Sequence, residues 1–197
     1  AKIVLTEASG GMTASIKKAE ELLSENPGAF MPMQFENPAN AESHKTTAEE
    51  IWRDTEGKID AFVAAVGTGG TLSGTGKYLR MKNEKIEIIA VEPDESAVLS
   101  GEKAGSHGIQ GIGAGFIPKI LDTSLISEII RIKTEDAKKM AARLAKEEGI
   151  LCGISSGAAV LAAISYAAKS ENKGKNIVVL LPDGGERYLS TELFENN

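Results

Sequence analysis

The sequence predicts an α/β fold built on a largely parallel sheet. Three observations carry that expectation. Apolar runs of strand length, at 61–66, 86–91 and 176–181, are near-continuous rather than alternating, as in strands covered on both faces. Segments with helical spacing separate them, so strands and helices alternate along the chain. Turn residues close the runs, most clearly Gly67-Thr68-Gly69-Gly70 after the first and Pro182-Asp183-Gly184-Gly185 after the last.

The elements follow in order. Residues 3–6 read as a strand and Ser9-Gly10-Gly11 as a turn. A helix over 12–25 places Ile16, Ala19, Leu22 and Leu23 on one face, and Asn26-Pro27-Gly28 breaks it. Residues 30–35 read as a second short strand, Asn37-Pro38-Ala39-Asn40 as a loop, and 42–54 as a helix stopped near Gly57. The central strand over 61–66 and its glycine turn lead into a helix reaching about residue 81, then a strand over 86–91. Residues 93–120 lack periodicity. They carry Ile112, Phe116 and Ile117, which points to an ordered binding loop. A strand over 128–132 precedes a helix to 148 capped by Thr134. A second loop-to-helix turn, Gly153-Ile154-Ser155-Ser156-Gly157, opens an alanine-rich helix, and the strand over 176–181 closes the pattern.

Composition bounds the function. The chain has 197 residues, 42% of them hydrophobic, enough for one full core or one core and part of another. The net charge of −6 and the interleaving of lysine with glutamate leave no basic patch for nucleic acid. No apolar segment reaches membrane-spanning length, and the first residues do not read as a signal peptide. His44 and His107 are too few and too far apart for a metal site. The single cysteine, Cys152, sits in an apolar run with no cationic neighbour in sequence, which favours a buried structural thiol over a nucleophile and fits a cytoplasmic setting. Because Ala1 leads almost directly into an apolar strand, the chain is expected to be the later part of a longer polypeptide.

The most informative stretch is the strand, turn and helix start at 61–75. Gly67, Thr68, Gly69, Gly70 and Thr71 can turn successive amides toward one point at a helix N-terminus, and the threonine hydroxyls can add donors. Such a cup suits a compact phosphate. It is not a P-loop, since Gly76-Lys77 is followed by Tyr78. A dinucleotide site is a nearer competitor: Gly67 and Gly69 open that pattern and Glu92 stands where a ribose-binding acid would, but Leu72 occupies the third glycine position. In parallel sheets ligands bind beyond the carboxyl ends of the strands, and the loops at 67–71, 153–157 and 182–185 would all lie there.

Five motifs together resemble cysteine synthase, the O-acetylserine sulfhydrylase family of pyridoxal-phosphate enzymes built like the tryptophan synthase β subunit. They are Gln34-Phe35-Glu36-Asn37-Pro38-Ala39-Asn40, Gly67-Thr68-Gly69-Gly70-Thr71, Gln110-Gly111-Ile112-Gly113-Ala114-Gly115-Phe116, Gly153-Ile154-Ser155-Ser156-Gly157-Ala158-Ala159, and the segment from Leu181 through Asp183 and Arg187 to Thr191. The resemblance implies the fold-type-II architecture of that family. Residues 1–33 would be the remainder of a small N-terminal domain and 34–197 the large cofactor domain. It implies pyridoxal 5'-phosphate as cofactor, with Gly67 to Thr71 on its phosphate and Ser155 on its pyridine nitrogen. Ser155 could serve as helix N-cap as well. Gln34 would lie near the substrate carboxylate, with Gly111, Ile112, Gly113 and Ala114 bordering the entrance.

The implied reaction replaces the acetate of O-acetyl-L-serine with sulfide. Implied partners are a second copy of the chain and the C-terminal tail of serine acetyltransferase. The family's Schiff-base lysine and its Ser/Thr-Gly-Asn-Thr carboxylate loop have no match. No Pro-x-x-Ser-x-Lys segment occurs, and Lys17, Lys45 and Lys77 fall on polar helix faces. The 197-residue chain alone is therefore expected to be inactive. Competing readings are a cystathionine β-synthase-like enzyme, a non-catalytic fragment or binding module, and an NAD-binding module.

Overall fold

The computed structural model describes residues 1–194. Four parallel strands form one sheet: β1 (Ala61–Ala65), β2 (Glu87–Pro93), β3 (Glu128–Ile132) and β4 (Ile177–Val179), in the order β3-β2-β1-β4. The register pairs Ala61 with both Glu87 and Ile177, and Ile89 with Glu128. Helix α1 (Gly11–Glu25) comes first in the chain, and helices α2 (Pro38–Ser43), α3 (Lys45–Asp54), α4 (Gly70–Lys82), α5 (Thr134–Arg143) and α6 (Ile154–Ala167) make up the layers around the sheet.

The sheet is covered on both faces, which explains the continuous apolar runs. Ala61, Val63, Ile89 and Val91 pack with α5 and α6 through Ala137, Ala141, Ala158 and Ala162. Phe62, Ala64, Ile88 and Ala90 face the opposite way, onto Leu72 and Leu79 of α4 and Ala48 of α3. Successive strand residues alternate between these two cores, the two-residue period of a pleated strand. Each large buried aliphatic or aromatic side chain adds roughly 1.5–3 kcal/mol over its exposed state.

Two expected strands do not form. Residues 3–6 and 30–35 carry no strand, and Ile3, Leu5 and Phe30 stand 81%, 88% and 84% exposed. A strand needs a lateral hydrogen-bonding partner, and no strand of the described residues lies beside either segment. Helix α1 forms as expected but buries no residue.

The helix expected over 42–54 is longer and broken. Asn37 accepts from the Ala39 amide, Pro38 fills the first position of α2, and the chain re-starts at His44 into α3. The helix expected to reach 148 loosens after Arg143 into a π-turn closed by Gly149 at φ 70°. Residues 93–120 hold two short-range anchors, Ile109 (fully buried) and Ile112, inside the α5–α6 core.

A candidate cofactor and substrate cleft

The chain leaves β1 at its carboxyl end and turns through residues 66–69 into α4. Gly69 has φ 86°, and a Cβ there would come within 2.8 Å of Leu121 Cβ, so both conformation and space call for glycine. The amides of Gly67, Thr68, Gly69 and Thr71 make no hydrogen bond within the described chain. Four free donors at the start of a thirteen-residue helix could hold an anion, with the helix dipole adding partial positive charge. A phosphate group fits this donor set.

The loop at 111–115 lies against the cup. Gly113 donates its amide to the Val66 carbonyl at 3.1 Å, and a Cβ on Gly67 would stand 2.4 Å from the Gly111 carbonyl oxygen. Gly111, Gly113 and Gly115 all take left-handed conformations, which coil the loop tightly. His107 Nε2 donates to the Gly113 carbonyl at 3.0 Å and pins it. Between these loops and residues 8–13 opens a cleft of about 710 Å³. Gln34, Gly67, Thr68, Gly111, Ile112, Gly113 and Ala114 all line it.

Ser155 does not line this cleft but lies along the same edge of the sheet. Helix α6 begins there: Cys152 bridges to Gly184 just beyond β4, and β4 is the neighbour of β1. Ser155 is 3% exposed in the first turn of α6, and its hydroxyl makes no hydrogen bond among the described residues. A buried, unpartnered hydroxyl at a helix start can serve a ring nitrogen. Its neighbour Ser156 is committed, donating to Asp183, which also accepts from the Tyr188 phenol at 2.7 Å. Cys152 is buried, and burial, then the Asp183 carboxylate, pushes its thiol up, away from the thiolate form a nucleophile needs.

No lysine lines the cleft among the described residues. Lys17, Lys45 and Lys77 are exposed, and Lys45 pairs with Glu49 at 3.7 Å. Glu92 is occupied as well, holding the amides of Leu99 and Ser100, so it is not poised for a ribose. From sequence, His44 and His107 are weighed only as metal ligands and Asn40 only as the last residue of the 34–40 motif, with no role in this site for any of them.

The profile of the pyridoxal-phosphate dependent enzymes matches residues 1–183. The chain belongs to this family. It is 56% identical over 196 residues to a cysteine synthase of Staphylococcus aureus, covering 98% of this chain and 63% of that protein. It is 53% identical over 204 residues to cysteine synthase A of Escherichia coli, with the same coverage. A crystal structure of cysteine synthase from Entamoeba histolytica superposes with a TM-score of 0.94 at 52% identity, covering 100% of this chain and 59% of that one. The chain thus spans about 63% of the length of the curated relatives it matches. The expected fold class holds: a parallel sheet flanked by helices, as in fold-type-II members of the family.

Proposed function

We propose that this chain forms the cofactor-holding part of a cysteine synthase, in which sulfide replaces the acetate of O-acetyl-L-serine to give L-cysteine. The observation that carries the reading is the cup of free amides at the start of α4, opening onto the cleft lined by Gln34 and the loop at 111–114. When bound, pyridoxal phosphate supplies the electron sink that lets a leaving group depart from the β carbon. The residues of this chain bind and orient. Gly67 to Thr71 take the phosphate, and Ser155 offers a neutral hydroxyl to the ring nitrogen. A hydroxyl does not hold that nitrogen protonated as a carboxylate would, which suits elimination over chemistry through a long-lived carbanion. Gln34 and the Gly111, Ile112, Gly113 and Ala114 loop take the amino-acid substrate.

The reading extends to a division at residues 33 and 34 between a small-domain segment and the large domain, a homodimer, a cytoplasmic setting, and docking of a serine acetyltransferase tail against the Gly111 to Phe116 loop. Its test uses the protein encoded by the gene at its full natural length. With pyridoxal phosphate, O-acetyl-L-serine and sulfide, cysteine and acetate should appear in equal amounts. Product from homocysteine but none from sulfide would overturn it in favour of a cystathionine-forming enzyme.

A further inference from the structure

Behind the cup stands a second layer of side chains. Gly70 and Gly74 lie one turn apart on α4. A Cβ at 70 would fall 2.1 Å from Asn40 Oδ1, and one at 74 would fall 1.9 Å from the Ala41 carbonyl oxygen and 2.9 Å from His44 Cβ. Helix α2 is therefore seated directly on this glycine stripe, which brings Asn40 and His44 against two threonines of the cup.

Asn40 Nδ2 donates to the Gln34 carbonyl at 2.8 Å and to Thr68 Oγ1 at 3.0 Å. The Gly70 amide also donates to Thr68 Oγ1, at 3.3 Å. Both lone pairs of that hydroxyl are thus taken, and its proton has no acceptor among the described residues. His44 stands between two hydroxyls, Nε2 at 3.1 Å from Thr71 Oγ1 and Nδ1 at 3.2 Å from Thr47 Oγ1. Burial lowers its basicity and so favours the neutral ring, which carries one N–H. Only one direction of this relay leaves Thr71 a proton to give: Thr47 donates to Nδ1, and Nε2–H donates to Thr71 Oγ1. The opposite direction would aim oxygen lone pairs at an anion.

We infer that Asn40 and His44 are positioning residues of the anion cup, turning the Thr68 and Thr71 hydroxyls outward so that both act as donors to a bound phosphate. The inference rests on the reading that the cup holds the cofactor phosphate. Hydrogen bonds to charged groups are the strong ones, so losing one hydroxyl donor should weaken binding roughly tenfold to a hundredfold.

The test titrates pyridoxal phosphate into the full-length protein and follows both affinity and the ³¹P resonance of the bound phosphate from pH 5 to 8. In the wild type that resonance should stay flat from pH 6.5 upward, where the lowered basicity of His44 leaves the ring neutral. His44→Leu should weaken binding and make the resonance move with pH. His44→Gln, which keeps a donor near the Nε2 position, should restore both. Thr71→Val should cost about as much as His44→Leu, and the double variant little more than either. Should His44→Leu fail to fold, His44→Gln against Thr71→Val decides the matter alone: the former near wild type, the latter weakened. Wild-type affinity and a flat resonance in His44→Leu, or additive losses in the double variant, would overturn the inference and leave the family reading intact. No binding by the wild type would instead remove the reading on which it rests.

Discussion

Glu92 and Ser100 are joined twice: one carboxylate oxygen accepts the Ser100 amide at 3.0 Å and the Ser100 hydroxyl at 2.5 Å. The other oxygen takes the Leu99 amide at 2.7 Å. Glu92 is 2% exposed, so an acidic side chain near the end of β2 is buried where it holds two backbone amides and one hydroxyl of the 93–120 segment. Replacing it by Ala would strand two amides. Glu92→Ala should lose about 2–4 kcal/mol of unfolding free energy in urea, while Glu92→Gln, which keeps one acceptor, should lose less. NAD should not protect either protein from unfolding. Protection by NAD would revive the dinucleotide reading.

Gly74 provides a test in which two effects have opposite signs. Alanine in a helix interior is favoured over glycine by about 1 kcal/mol. At position 74 the added methyl would meet the Ala41 carbonyl, a backbone atom that cannot swing aside. Overpacking of this kind costs about 1–3 kcal/mol or more and should win. Gly74→Ala should therefore lower the denaturation midpoint and weaken cofactor binding. A raised midpoint would mean that α2 does not sit on α4 as described.

Tyr188 supplies a pH dependence. Burial, and then its hydrogen bond to Asp183, raises the phenol to about 12, above its ordinary value of 10. The folded state thus favours the neutral phenol. Its contribution is complete below pH 10 and is lost as pH climbs toward 12, reaching at most about 2–3 kcal/mol. Stability should fall more steeply over that window in the wild type than in Tyr188→Phe. At neutral pH the variant should cost about 1–2 kcal/mol, because Asp183 loses a donor. Parallel slopes for the two proteins would remove Tyr188 as the titrating group.

The cleft contains no lysine among the described residues, and that bears on covalent attachment. After incubation of the 197-residue chain with pyridoxal phosphate and reduction with borohydride, peptide mass spectrometry should find no stoichiometric pyridoxyl label on Lys17, Lys45 or Lys77. The same chain should form no cysteine from O-acetyl-L-serine and sulfide. A single fully labelled lysine would identify an attachment point that the present geometry does not provide.

The sheet and the cup were legible because each has a local signature. Buried parallel strands write themselves as unbroken apolar runs, and a backbone that must approach a ligand uses glycine. Residues 3–6 and 30–35 misled for the same reason: an apolar run signals a strand only when another strand lies beside it. Helix α2 was missed because Asn37-Pro38 reads as a turn, although side-chain cap plus proline at the first position is also how a helix begins. The link from Asn40 and His44 to Thr68 and Thr71 depends on a helix–helix contact that no local pattern records. Its trace in the sequence was the pair Gly70 and Gly74, four residues apart on one face.

The first strand of the sheet pairs with its last, and Asp60 and Asn176, 116 residues apart, tie the two at their starts. This sets an order of assembly. Strands β1, β2 and β3 can associate across short crossovers, whereas β4 must wait for most of the chain and bear the largest loop-closure entropy. Until it docks, one edge of β1 carries unpaired amides and carbonyls beside the cup. The ligand site should therefore be among the last features to mature during folding, and the interval before β4 arrives is when the chain is most exposed to edge-to-edge association.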